Sequence, residues 1–244
     1  YARASEVYSR LERTAAAQGD KAGAKPFADK ADAAVARAES LITPNDPQYS
    51  QIHVQSATLR VQRGDGDGAE AKLRDLVENQ SGDPFARQAF ARVLSRDPEK
   101  LDEAISNLLV ARDTAAKSPR YRPMENDLLQ LIIEMQLQKY ARMSASPERD
   151  AVLKLVRENT EDLESRTGEM ASTLSLRGRV QMATGQSVDA IQTLSRARVQ
   201  ADQNNPGGAD NNLLILLVQA YMQTQQTGQA RQLLQEVIDR APDL

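Results

Sequence analysis

Residues 211–242 read NNLLILLVQAYMQTQQTGQARQLLQEVIDRAP. On both sides of a polar turn near Gly228, apolar residues recur at spacings of three and four, which is the period of an amphipathic helix. Each side of the turn therefore has one apolar face to bury, and a short turn brings the two faces together. The stretch predicts a hairpin of two helices.

The same pattern of small and large residues returns along the chain. A small residue is followed by a large one four places on and by another apolar residue three places further. These series are Ala69–Leu73–Leu76, Ala104–Leu108–Ala111, Ala190–Leu194–Ala197 and Ala230–Leu234–Val237, with a weaker copy at Ala151–Leu155. Positions i, i+4 and i+7 share one helix face, and a small residue lets a partner helix approach closely. We therefore expect Leu234 to be packed like the other central leucines.

Polar breaks rich in glycine and proline divide the chain into twelve helical segments, and strand signals are scarce. The prolines at 47, 84, 98 and 147 stand at expected helix starts, each after an Asp or Ser that can cap the helix. Pairing the segments gives one all-α repeat domain over residues 1–244. Its six hairpins cover residues 2–42, 47–79, 84–116, 123–163, 168–202 and 209–240.

These residues resemble the tetratricopeptide-repeat (TPR) family. The copy near the C-terminus matches the family pattern at Leu214, Leu217, Tyr221, Ala230, Leu234 and Pro242. An earlier copy matches it at Leu174, Gly178, Gly185, Ala190, Leu194 and Ala197. The resemblance implies a right-handed α-solenoid, a superhelix of about six hairpins whose first helices line a concave groove for a protein or peptide partner.

The spacing of the repeats departs from the family. Successive small residues from Ala69 to Ala230 lie 35, 47, 39 and 40 positions apart, whereas the TPR period is about 34 residues. The additional residues fall in turns, which tolerate insertion. Two alternatives therefore stay open, another kind of α-solenoid or a set of irregular helical hairpins.

Aligned with the family, the concave face carries mostly polar and amide side chains with some adaptable methionines. The candidate partner-binding residues are Thr58, Gln62, Ser175, Arg179, Met182, Asn212, Gln219, Met222 and Gln223. Gln51, Val54 and Ile215 belong to the same face. Only Arg179 and Asn212 are of the types that TPR domains use to grip a terminal carboxylate, so a carboxylate-clamp adaptor is not predicted.

Composition removes several classes of function. The chain has no cysteine, a net charge of −3 and 4% aromatic residues, so it predicts no thiolate metal site and no nucleic-acid partner. Its longest apolar run, Leu213–Val218, is far shorter than the roughly 20 residues that span a bilayer, so no direct membrane insertion is expected. We predict neither a catalytic residue nor a cofactor or metal site.

Three local features could suggest a catalytic or ligand-binding role, but each is better explained as a packing, turn or loop feature. His53 is the only histidine, and it is interpreted as a surface or packing residue. The glycine–aspartate stretch 63–70 lacks the ligand spacing of a calcium loop and the lysine of a phosphate loop, so it is interpreted as a hairpin turn. Arg120, Tyr121 and Arg122 are interpreted as a loop between repeats.

The sequence thus predicts a non-catalytic scaffold or adaptor that binds a partner segment in its groove. Two alternatives are a helical accessory domain of a larger enzyme and a regulatory domain that senses a peptide. The last helix is followed by no polar capping helix, so we expect the chain to be a segment of a longer protein or a subunit of a larger assembly.

Overall fold

The computed structural model describes residues 1–80, 82–204 and 208–240. Within these ranges it contains helices and turns but no strand, which confirms the all-α prediction. The twelve described helices are α1 (Ala2–Ala17), α2 (Lys21–Glu39), α3 (Tyr49–Gln62), α4 (Gly66–Asn79), α5 (Pro84–Leu94), α6 (Leu101–Lys117), α7 (Glu125–Arg142), α8 (Pro147–Thr167), α9 (Ala171–Ala183), α10 (Ser187–Asn204), α11 (Asn211–Gln223) and α12 (Thr227–Arg240). Pro242, part of the TPR pattern, lies outside the described residues.

Several helices begin at the caps that the sequence carries. The side chains of Asp83 and Ser146 accept hydrogen bonds from backbone N–H groups in the first turns of α5 and α8. These helices begin on Pro84 and Pro147, where the missing N–H costs no helical hydrogen bond. Asp97 caps in the same way the short 3₁₀ turn that leads into α6.

Seven of the described helices begin at other residues than the sequence predicts, and four of them, α6, α7, α9 and α11, start two or three residues late. α2 and α4 start earlier than the expected residues 25 and 69, at Lys21 and Gly66, because Asp20 and Asp65 accept hydrogen bonds from N–H groups of their first turns. Such a cap satisfies an orphan donor and offsets the low helix propensity of nearby glycines. α3 starts two residues after the expected proline, at Tyr49.

The chain divides into two compact units, Tyr1–Glu125 and Asn126–Leu244. In the first unit α1 to α6 pack in chain order, each against the next, and α3 also contacts α5. Contact between the first helices of successive hairpins is typical of a helical repeat stack. Arg63 joins the first two hairpins, since its guanidinium pairs with Glu12 of α1 and Asp32 of α2.

The second unit repeats this arrangement from α7 to α12. One buried cluster joins α7, α8 and α9, and another joins α9 to α12, so α9 contributes to both. As in the first unit, two first helices touch, here α9 and α11. The prediction of one repeat domain over residues 1–244 stays a prediction.

Gly178 of α9 explains why the pattern needs a small residue. A Cβ atom at this position would lie 2.5 Å from Cγ and Cδ2 of Leu194, a fully buried residue of α10. Carbon atoms cannot approach so closely, so α9 and α10 reach their present distance only because residue 178 has no side chain.

The expectation for Leu234 is wrong. Its side chain is 47% exposed, whereas the preceding Leu233 is 7% exposed and packs in the cluster of α9 to α12. The equivalent Leu194 is enclosed because α11 supplies Leu213 and Leu214 to the same cluster. No helix follows α12 among the described residues, and the face that carries Leu234 is left open.

Candidate functional site

A groove in the second unit is lined by the first helices of its three hairpins. It has a volume of about 640 Å³. Its walls come from α7, α9 and α11 and from the residue that caps α11, and they comprise Gln130, Glu134, Ser172, Ser175, Leu176, Arg179, Asp210, Asn212, Leu213, Ile215, Leu216 and Gln219. Four of the predicted partner-binding residues, Ser175, Arg179, Asn212 and Gln219, are brought together here.

Arg179 carries the positive charge of this groove. Its side chain is half-buried, and no hydrogen bond or ion pair joins it to another described residue. On the facing α7 the acid Glu134 accepts a hydrogen bond from Gln130 at 3.1 Å. Asp210, the other acid of the groove, accepts from the N–H of Leu213 as the N-cap of α11. A guanidinium with five donors is therefore available to a ligand.

The rest of the groove combines an apolar strip with amide side chains. Leu176 and Leu213 are buried, while Ile215 is 38% exposed. Asn212 and Gln219 are exposed along the same helix face as Ile215. Ser175 is turned toward its own helix, since its hydroxyl donates to the carbonyl of Ala171.

Thr58 and Gln62 line a different groove, between α3 and α5 in the first unit. The hydroxyl of Thr58 donates to the carbonyl of Val54 one turn earlier, and Gln62 is exposed. Gln51 lies beside a further groove, next to Tyr1 and Ile42.

The other three predicted residues do not line these grooves. Met182 is partly buried and packs against the cluster of α9 to α12. Met222 is 56% exposed. Gln223 accepts a hydrogen bond from the hydroxyl of Ser187, at the start of α10.

The sequence prediction missed the parts of the grooves that come from α5 and α7. Gln130 and Glu134 lie in the hairpin that carries only the weaker copy of the pattern, at Ala151–Leu155. Phe85 and Arg92 of α5 line the groove of the first unit, together with Arg96 in the turn after this helix. They follow the helical spacing of a single face, so periodicity alone could have placed them together.

His53 sits in a charged cluster outside these grooves. Its ring centroid lies 4.3 Å from that of Tyr49, and its Nδ1 lies 3.4 Å from Glu39, which also pairs with Lys72. Burial lowers the pKa of His53 and the charge of Lys72 lowers it further, against the opposing effects of Glu39 and Asp75. The ring thus packs between the first two hairpins.

The glycine–aspartate stretch 63–70 spans a turn and the start of α4, and the segment 120–122 lies between α6 and α7. Gly64 has φ +82° in the turn between α3 and α4, and Asp65 caps α4. Arg120 stacks over Tyr121 at 5.1 Å and reaches the carbonyl of Pro47. Among the described residues, no group of three or more His, Cys, Asp or Glu side chains could hold a metal ion. No described helix is both long and apolar enough to cross a membrane.

The fold is similar to those of several solved structures. TTC0263, a thermophilic TPR protein of Thermus thermophilus, is 18% identical, and the match covers 80% of this chain and 92% of that one with a TM-score of 0.64. The assembly chaperone of RpL4, Acl4, is 12% identical over 98% of this chain and 91% of that one, with a TM-score of 0.63. PilW, a widely conserved type IV pilus biogenesis factor, is 12% identical over 98% and 94%, with a TM-score of 0.60.

No protein-family model and no curated protein matches the sequence. At identities of 12% to 18% the structural likeness is evidence for the fold alone. The likeness agrees with the paired helices, the contacts between successive first helices and the small residue at Gly178. This chain therefore has the fold of the tetratricopeptide-repeat proteins.

Proposed function

We propose that this chain is a non-catalytic scaffold that binds a segment of a partner protein in the groove of α7, α9 and α11. The observation that carries the proposal is Arg179, a half-buried guanidinium without a partner among the described residues, beside an apolar strip and several amides. A buried or half-buried charge is costly unless it is paired, so an unpaired one inside a groove favours a ligand that supplies the pair.

A peptide in extended conformation fits the chemistry of this groove. Its backbone presents N–H donors and C=O acceptors that need partners, and the amides of Gln130, Asn212 and Gln219 can both donate and accept. The strip of Leu176, Leu213 and Ile215 can receive apolar side chains, chiefly at the exposed Ile215. One acidic side chain of the peptide would pair with Arg179.

The similar structures support protein binding as the general role. Two of them are an assembly chaperone and a pilus biogenesis factor, and such roles involve handling other proteins. In this chain the mixed charge of the groove, with Glu134 and Asp210 beside Arg179, gives little attraction for a nucleic-acid backbone.

The proposal is tested by measuring which proteins the immobilised chain retains from a lysate of its source organism. Arg179→Glu with Gln219→Glu reverses the charge of the groove and removes one amide, and we expect at least tenfold less of the specifically retained proteins. The matched control is Arg177→Glu with Gln203→Glu. Arg177 lies on the opposite face of α9, where it pairs with Glu164 at an exposed site.

Circular dichroism spectra and melting temperatures of both double variants establish that each is folded. If the groove variant retains the same proteins in the same amounts as the control, the groove of α7, α9 and α11 is not the binding surface.

A further inference from the structure

A pocket in the first unit lies between one face of α3 and one face of α5. Its volume is about 330 Å³, at the lower end of the roughly 300–1,000 Å³ of ligand pockets. From α5 it takes residues 85, 88, 89, 92 and 93, a single helical face, and from α3 residues 54, 58, 61 and 62. Residue 96, in the turn after α5, completes the lining. Its size suits one or two side chains of a ligand.

The interior of the pocket is apolar. Val54 and Val61 of α3 face Phe85, Ala89 and Val93 of α5 across it. Leu73 of α4 contributes to the lining and is 1% exposed. A bulky apolar side chain entering here would bury its surface against these residues, at about 25 cal/mol per Å² removed from water.

The rim of the pocket is positively charged. Arg92, on the last turn of α5, and Arg96, in the turn just after this helix, are exposed, and neither side chain has a hydrogen bond or ion pair with a described residue. In the same unit Arg63 and Arg74 each pair with two carboxylates. The lining of the pocket contains no acidic residue.

We propose that this pocket is a second binding site, for a peptide with one bulky apolar residue next to acidic residues. The apolar side chain fills the space between Phe85 and Val54. The carboxylates pair with Arg92 and Arg96, which can hold them by two parallel hydrogen bonds each. The amides of Gln62 and Gln88 at the same pocket pair with the backbone of the peptide.

This inference does not depend on the groove of α7, α9 and α11. The two sites lie in different units and differ in charge, because the second groove contains two acids beside its single arginine. Loss of binding at one site therefore leaves the other proposal standing.

The test is selection from a library of displayed nine-residue random peptides on the immobilised full chain. We expect selected peptides to carry one Leu, Ile, Phe, Met or Trp within three positions of two or more Asp or Glu. In titrations of a fluorescein-labelled selected peptide, Arg92→Glu with Arg96→Glu should weaken binding at least tenfold. Peptides selected on this variant should be enriched in Lys and Arg in place of Asp and Glu.

Three further variants locate the site. Ala89→Leu narrows the pocket and should weaken the binding of the same peptide at least fivefold, although it leaves every charge in place. Arg10→Glu with Arg122→Glu makes the same change of charge at exposed positions of the first unit outside the pocket, and it should have no effect. Arg179→Glu, in the other groove, should also leave this peptide unaffected.

The proposal is overturned if no acidic–apolar sequence is selected, or if the pocket variants bind the selected peptide as the wild-type chain does. It is also overturned if decanoate binds in the pocket while acidic peptides do not, since the pocket would then serve an anionic lipid.

Discussion

At the scale of single residues, the contact of Leu194 with Gly178 shows how a repeat pattern acts through geometry. The leucine is fully buried, so its side chain would have to shift within a packed core to admit a side chain at position 178. The small residue is therefore a condition for the distance between α9 and α10. The glycine of the pattern is explained by this contact, since its helix would by itself favour alanine.

We expect Gly178→Ala to destabilise the protein by about 1–3 kcal/mol, because overpacking against Leu194 outweighs the gain of about 1 kcal/mol in helix propensity. Urea unfolding measures the difference. Gly228→Ala is the matched control, since a Cβ there meets no atom within 4 Å, and its stability should be equal or higher by up to about 1 kcal/mol. Equal effects of the two substitutions would contradict the close approach of α9 and α10.

His53 gives the stability of the protein a defined dependence on pH. Burial lowers its pKa in the folded chain below the ordinary 6.5, so as pH falls through 6.5 the unfolded chain takes up a proton that the folded chain resists. The stabilisation is complete above that pH and is lost below it. The groups around the ring that set this balance are Glu39, Lys72 and Asp75.

We expect the urea midpoint to fall more between pH 7.5 and pH 5.5 in the wild-type chain than in His53→Gln. The chain has no second histidine, so little else titrates near pH 6.5. Parallel curves for the two proteins would show that the pKa of His53 is the same in the folded and unfolded chains.

At the scale of helices, α12 shows what a repeat pattern leaves undetermined. Ala230 and Val237 are buried as the pattern requires, but Leu233 takes the central place and Leu234 is exposed. The pattern is defined within one hairpin, whereas burial at this position depends on the next helix along the stack.

This difference is measurable by truncating each leucine. Leu233→Ala should lower the free energy of unfolding by about 2–5 kcal/mol, as for other buried leucines, whereas Leu234→Ala should cost less than about 1 kcal/mol. Thermal or urea unfolding of the two variants under identical conditions shows which of the two leucines faces the core. A larger loss of unfolding free energy for Leu234→Ala than for Leu233→Ala would show that Leu234 is the packed leucine, as the sequence predicts.

The helices themselves could be predicted from the sequence because their signals are local. A period of three to four and caps such as Asp83 and Ser146 lie within a few residues of the helix that they define. The candidate sites could be predicted only in part. Whether Arg179 is paired depends on side chains from other helices. Arg92 and Arg96 precede the series Ala104–Leu108–Ala111, by which the pattern is recognised in their hairpin, so the pattern does not mark them.

At the scale of the whole molecule, each unit is a series of helices that contact chiefly their neighbours. In the first unit each helix from α1 to α6 contacts the next one in order. In the second unit two buried clusters, one of α7 to α9 and one of α9 to α12, share helix α9. In such a structure, stability is close to a sum of terms for each repeat and for each contact between neighbours. A local loss of packing should therefore have effects that decrease along the chain.

Amide hydrogen exchange tests this in Leu214→Ala and Leu73→Ala, two leucines that are 0% and 1% exposed. Each substitution should cost about 2–5 kcal/mol. For Leu214→Ala we expect the largest loss of protection in α9 to α12, and for Leu73→Ala in α3 to α5, because these helices contain the direct neighbours of each leucine. If either substitution lowers protection equally from α1 to α12, the chain unfolds as one cooperative body and additivity of neighbouring repeats does not hold.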